Sequence, residues 1–217
     1  MRDVSYWSRR HDYAGADAPS ARAFAEPKAA LIAKTLGLTG GEPVLDVGAG
    51  TGHLTMAFRR RGHPVTALDA SPAMLARNPA GARVLADASK LPFPDGAFAL
   101  AVEANLLHHV ADPVAVLAEM ARVSRGAVAV VEPNRNHPPM LLFSLIVREE
   151  RAGLRFHPRR LRRLGDAAGL VALRIVPTGW VYQNRTPPWL ARRLGRRNGS
   201  CPLAAYAVGV FAKEERG

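Results

Sequence analysis

The sequence predicts an α/β fold, a mostly parallel seven-stranded sheet with helices on both faces, and three observations predict it. Short runs rich in Val, Ala and Leu recur between amphipathic segments from residue 43 onward, the pattern of buried strands joined by helical crossovers. A glycine-rich turn, "GAGTG" at 48–52, follows the first run directly. An acidic residue stands at or near the end of four successive runs: Asp46, Asp69, Asp87 and Glu103.

The elements follow in order. Residues 19–38 read as a helix, with Pro19 in its first turn and "GLTGGEP" ending it. Strand "PVLDV" precedes helix "HLTMAFRRRG", and strand "PVTALD" precedes a short helix at "SPAMLAR". Strand "ARVLADA" runs into the turn-rich "SKLPFPDG", and strand "AFALAVEA" leads to a helix near 112–124. "GAVAVVEP" is the fifth strand. Residues 133–156 then interrupt the alternation, before helix "PRRLRRLGDAAG" and strand "LVALRIVP". A second irregular stretch covers 178–203, and "AAYAVGVFAK" closes the pattern. Residues 1–217 fit one domain. Within it, 1–40 is expected to be an N-terminal helical lid, and 133–156 and 178–203 insertions that form a small cap on the substrate side.

Composition bounds the function. The 48% hydrophobic share is that of a globular chain. The longest apolar run, "MLLFSLIV" at 140–147, is far short of the roughly 20 residues of a membrane-spanning helix. No stretch reads as a secretory signal, so a cytoplasmic protein is expected. The single Cys201 leaves no internal disulfide and no four-cysteine metal site, and no metal is expected. The net charge of +12 is concentrated in 148–197, where 13 arginines face only Glu149, Glu150 and Asp166. Such a region suits nucleic acid, anionic lipid or an acidic substrate. It also fits the Ala- and Arg-rich usage of a GC-rich genome.

Ligands of open α/β sheets bind outside the carboxyl ends of the strands. The glycine spacing here is G-x-G-x-G, with His53 where a dinucleotide fingerprint carries its third glycine. Asp46 lies two residues before Gly48. A carboxylate there is unfavourable beside a pyrophosphate but favourable beside a sulfonium or ammonium. The acidic edge therefore suits a ligand rich in hydroxyl and amino donors.

These motifs resemble the class I S-adenosylmethionine-dependent methyltransferases, which have a Rossmann-like fold, and particularly their small-molecule branch, which includes ubiquinone and menaquinone biosynthesis enzymes. The resemblance covers about residues 6–132 and rests on "VLDVGAGTGHLT", "VTALDASPAML" and "ADASKLPFPDGAFALAVEANLLHHV". It implies S-adenosylmethionine as cofactor and S-adenosylhomocysteine as product. Gly48, Ala49, Gly50 and Gly52 would let the methionine and ribose parts approach the backbone, with Asp46 ordering the amino group. Asp69, beside Ala70, would accept from both ribose hydroxyls. Asp87 would accept from the adenine amino group, next to the Ala88 backbone, and Glu103 would mark the methionine contact. Tyr13, in the aromatic "YWSRRHDYAG", would lie nearest the methionine carboxylate. The chain departs from the family at Ala99, where Asp is usual, and at "SRGA" in place of a "KPGG" turn.

Methyl transfer from a sulfonium is an in-line displacement, in which the protein positions the acceptor and excludes water. A base is required only for an acceptor that must lose a proton, and His108 in "LLHHV" is the candidate, with His109 expected to pack. "EANLLHH" stands where methyltransferases of nucleic-acid amino groups often carry an Asn/Asp-Pro-Pro-aromatic motif. The apolar 140–147 run is flanked by Arg148, Arg151 and Arg155. Later, Trp180, Tyr182 and Trp189 stand near Arg192, Arg193, Arg196 and Arg197. This interleaving suits a small-molecule or amphiphilic acceptor, lipid-linked or isoprenoid-like, with peripheral contact to an anionic membrane. An RNA methyltransferase using the Arg-rich 148–197 region, and a non-catalytic scaffold with this fold, are the alternatives.

Overall fold

The computed structural model describes residues 13–195 and 199–213. Seven strands form one sheet: β1 (Val44–Val47), β2 (Val65–Asp69), β3 (Ala82–Leu85), β4 (Phe98–Ala104), β5 (Ser124–Pro133), β6 (Leu170–Thr178) and β7 (Tyr206–Lys213). Their order is β3-β2-β1-β4-β5-β7-β6. Only β7 runs against its neighbours, β5 and β6. The chain winds outward from β1 to β3 and then returns to the other side of β1 with β4. The β1/β4 boundary is thus the switch point at which such sheets bind ligands.

The helices are α1 (Pro19–Leu36), α2 (His53–Arg59), α3 (Pro72–Ala76), α4 (Pro113–Val123), α5 (Pro138–Ile146), α6 (Pro158–Ala167) and α7 (Pro188–Leu194), with a 3-10 helix at Arg148–Arg155. All of the α-helices except α2 carry proline in their first two positions, where the missing N–H has no intrahelical acceptor to lose. Asp112 caps α4 through Val114 N (2.9 Å) and Ala115 N (3.1 Å).

Strand alternation builds two cores. Leu45 and Val47 of β1 pack with Leu117, Met120, Leu161 and Phe211 under α4 and α6. Val44 packs on the other face with Phe24, Ile32, Leu54 and Phe58, under α1 and α2. The two stretches expected to be irregular contain helices, α5 and the 3-10 helix in the first and α7 in the second. No helix among the described residues is long and apolar enough to cross a membrane.

One buried charge stands apart. Lys28 of α1 is fully enclosed; its Nζ donates to Phe24 O at 2.8 Å and lies 3.9 Å from the Phe24 ring centroid and 4.7 Å from that of Tyr206. Burial pushes its ammonium down to about 7 from 10.5. The unfolded chain then binds the extra proton between those values, so stability rises with pH across that window. Replacing Lys28 by methionine, of similar length, is expected to leave the protein at least as stable at pH 7 and to flatten that rise. Urea unfolding of both proteins from pH 6 to 10 measures it. An equally steep rise in K28M would assign the slope to other groups.

Candidate functional site

The turn after β1 is shaped by glycines whose backbone no other residue adopts without strain. Gly48 has φ +66, and a Cβ there would stand 2.9 Å from Leu106 Cδ1. Gly52 has φ +90, and its Cβ would meet Pro79 Cδ at 2.5 Å. Asp69 at the end of β2 holds this turn open. Its Oδ2 accepts from Gly50 N at 2.8 Å and its Oδ1 from Ser71 N at 2.8 Å. Burial raises the Asp69 carboxyl and these backbone donors oppose the rise. Asn78 latches the loop from below by donating to Gly50 O at 3.0 Å and accepting from Ala80 N at 2.9 Å.

Tyr13, Gly48, Ala49, Gly50, Asp69, Ala70, Ala88 and His108 line one cleft at the carboxyl ends of β1, β2 and β4. The chain at 13–14 is pinned across its mouth. Tyr13 O accepts from Arg77 at 2.6 Å, Ala14 O accepts from Thr51 Oγ1 at 3.2 Å, and Ala14 N donates to Asn184 Oδ1 at 3.1 Å. These bonds tie the N-terminal segment to both the glycine turn and the 178–203 insertion. The expected lid residues before Tyr13 lie outside the described residues, as do Arg196 and Arg197 of the Arg-rich region.

Four sequence-predicted residues do not line the cleft. Gly52 turns toward Pro79. Asp46, within β1, is buried and accepts from Thr55 Oγ1 at 2.6 Å; burial pushes its carboxyl up to about 7 against that hydrogen bond. Glu103 is also buried, accepting from Leu106 N (2.9 Å) and Val131 N (3.2 Å). Burial, and after it the neighbouring Glu132 charge, hold its carboxyl well above the usual carboxylate range, against the two backbone donors. Asp87 is bound to Ser89, whose backbone N–H lowers its carboxyl.

His108 is placed otherwise than a waiting base would be. Its Nδ1 lies 2.6 Å from Glu132 Oε2, and its Nε2 lies 3.3 Å from Glu150 Oε2. Burial works against the charged ring, but the two carboxylates outweigh it and push the imidazole up to about 10. Near neutral pH the ring already carries its proton. His109, expected to pack, also lines the cleft, and its ring centroid is 3.8 Å from that of His108. Asn105, at the end of β4, is the only non-glycine residue among those described with a left-handed backbone (φ 58), and it too faces the cleft.

The far wall is formed by Met140, Phe143, Glu150, Tyr182, Arg185 and Tyr206; all but Tyr206 come from the two segments expected on the substrate side, but of these only the 140–147 run and Tyr182 stood out in the sequence. Helix α5 supplies the first two. It anchors itself through buried Met140 and Ser144, while Leu142, Leu145 and Ile146 remain 58%, 52% and 70% exposed. An apolar surface therefore runs outward from the cleft.

Sheet order, glycine turn and cleft define the Rossmann-like class I methyltransferase fold. A solved S-adenosylmethionine-dependent methyltransferase of Thermotoga maritima, described as a possible histamine N-methyltransferase, superposes with a TM-score of 0.65 at 18% identity, over 88% of this chain and 89% of that one. Residues 45–130 match the model of a methyltransferase domain family. An uncharacterised methyltransferase of Mycobacterium sp. (strain JLS) is 37% identical over 119 residues, 50% of this chain and 47% of the relative. A demethylmenaquinone methyltransferase of Mycolicibacterium paratuberculosis (strain ATCC BAA-968 / K-10) is 36% identical over 116 residues, 52% of this chain and 50% of the relative. The chain spans about half the length of the curated relatives it matches.

Proposed function

We propose that the protein is an S-adenosylmethionine-dependent methyltransferase whose acceptor is a small amphiphile with an apolar body and an anionic group. The observation that carries the reading is the joining of two unlike walls in one cleft. Asp69 and the glycine turn form one, and Met140, Phe143, Tyr182 and Arg185 the other. The domain match favours methyl transfer, and the demethylmenaquinone methyltransferase among the similar proteins favours a small-molecule acceptor.

The cofactor supplies an electrophilic methyl group on a sulfonium. Everything else falls to the chain. Gly48 and Gly50 let a ligand approach the backbone, and Asp69 offers the carboxylate nearest the turn to a pair of hydroxyls. The pinned 13–14 segment and the cap exclude water. Met140 and Phe143 receive the apolar body of the acceptor, while Arg185, 4.7 Å over the Phe143 ring, offers a charge to its anionic group. The exposed leucines of α5, beside Arg148 and Arg151, suit peripheral contact with an anionic bilayer from which such an acceptor is drawn.

The test is transfer of labelled methyl from S-adenosylmethionine into a bacterial extract, followed by partition into organic, aqueous and RNA fractions. Label is expected in the organic fraction. Label in RNA would overturn the acceptor assignment, and absence of any protein-dependent transfer would overturn the activity.

A further inference from the structure

We propose that His108, His109 and Glu150 form a site for one divalent transition-metal ion of the Zn²⁺ class at the acceptor end of the cleft. The histidines follow β4, and Glu150 reaches them from the 3-10 helix of the first insertion. One donor atom of each lies within 4.8 Å of the others. His108 Nε2 and Glu150 Oε2 are 3.3 Å apart, about the ligand–ligand edge of a tetrahedral site with bonds of roughly 2.0–2.2 Å.

A second observation points the same way. His108 Nε2 is buried without an aligned hydrogen-bond partner; its approach to Glu150 has ion-pair distance but not hydrogen-bond geometry. Nδ1, by contrast, is engaged at 2.6 Å by Glu132 Oε2, and Glu132 is itself fixed by Leu107 N at 2.7 Å. A carboxylate on the far nitrogen of a ligating histidine is the usual outer support of a metal site. It keeps a proton on Nδ1 and aims the Nε2 lone pair at the ion. Binding of the ion requires Nε2 unprotonated, so any proton there passes to solvent.

Two imidazoles and one carboxylate favour Zn²⁺, Co²⁺ or Fe²⁺ over Mg²⁺ or Ca²⁺, which prefer all-oxygen sites. Three protein ligands leave a position open, and all three residues line the cleft. On the methyltransferase reading, on which this consequence rests, the open position would hold an acceptor hydroxyl and lower its pKa.

Zn²⁺ titrated into the full-length protein against a chromophoric chelator tests the site. One equivalent is expected to bind. His109→Ala and Glu150→Gln should each weaken it by about tenfold or more, since even outer supporting groups are worth 10–100-fold, and Cys201→Ser should not. Thermal unfolding checks that the variants fold. No stoichiometric binding, or wild-type affinity in H109A and E150Q, would overturn the site. Titration of the same samples with S-adenosylhomocysteine separates this failure from failure of the methyltransferase reading.

Discussion

Replacing Asp69 by alanine is expected to weaken S-adenosylhomocysteine binding by about 10²–10⁴-fold, from the loss of two hydrogen bonds to a charged acceptor at roughly 1.5–3 kcal/mol each. The loss has a second source. Each Asp69 oxygen also accepts from the backbone, from Gly50 and Ser71, so the variant loosens the turn that the ligand must approach. Asp69→Asn keeps one carbonyl acceptor and should fall between D69A and the wild type. Calorimetric titration of the three proteins measures the series. Affinity of D69A within about threefold of wild type would contradict the ribose assignment.

The second large effect concerns stability. Glu132→Ala should cost about 3–5 kcal/mol, the usual loss when one partner of a buried ion pair is removed. Glu132 is fully buried, holds His108 Nδ1 at 2.6 Å, and accepts from Leu107 N at 2.7 Å. Its removal leaves a buried imidazolium with Glu150 as its only carboxylate partner among those described, and a buried N–H without an acceptor. Glu132→Gln retains the shape and an acceptor, and should cost less. Urea unfolding at pH 7 compares them, and an E132A variant within 0.5 kcal/mol of wild type, about the scatter of harmless surface changes, would contradict the buried pairing.

Much of the fold was legible because its signals are local. Alternation in "VLDV" assigns Leu45 and Val47 to one core and Val44 to the other. Proline at helix starts and glycine after β1 mark boundaries through backbone geometry alone. The acidic edge was half legible. An acid at a strand end is visible in sequence, but whether it faces a ligand depends on the pleat. Asp69 reaches the glycine turn, whereas Asp46 turns to Thr55 and Glu103 to the backbone of Leu106 and Val131. The far wall was legible as segments but not residue by residue, for a different reason. "MLLFSLIV" is apolar all round, so its periodicity could not distinguish the side facing Met140 from the exposed side of Ile146. The His108, Glu132 and Glu150 cluster joins residues from β5 and the 3-10 helix to the turn after β4, and no spacing along the chain announces that convergence. The signals that hint at it are a carboxylate inside the apolar β5 run and the "REER" beginning at Arg148.

The β1 turn is expected to hold the adenosyl group of S-adenosylmethionine or its product rather than a dinucleotide. Calorimetric titration of the full-length protein with S-adenosylhomocysteine, run beside NADH, tests it most directly. Micromolar binding of S-adenosylhomocysteine with no heat from NADH is the expected result. Saturable NADH binding without S-adenosylhomocysteine binding would contradict it.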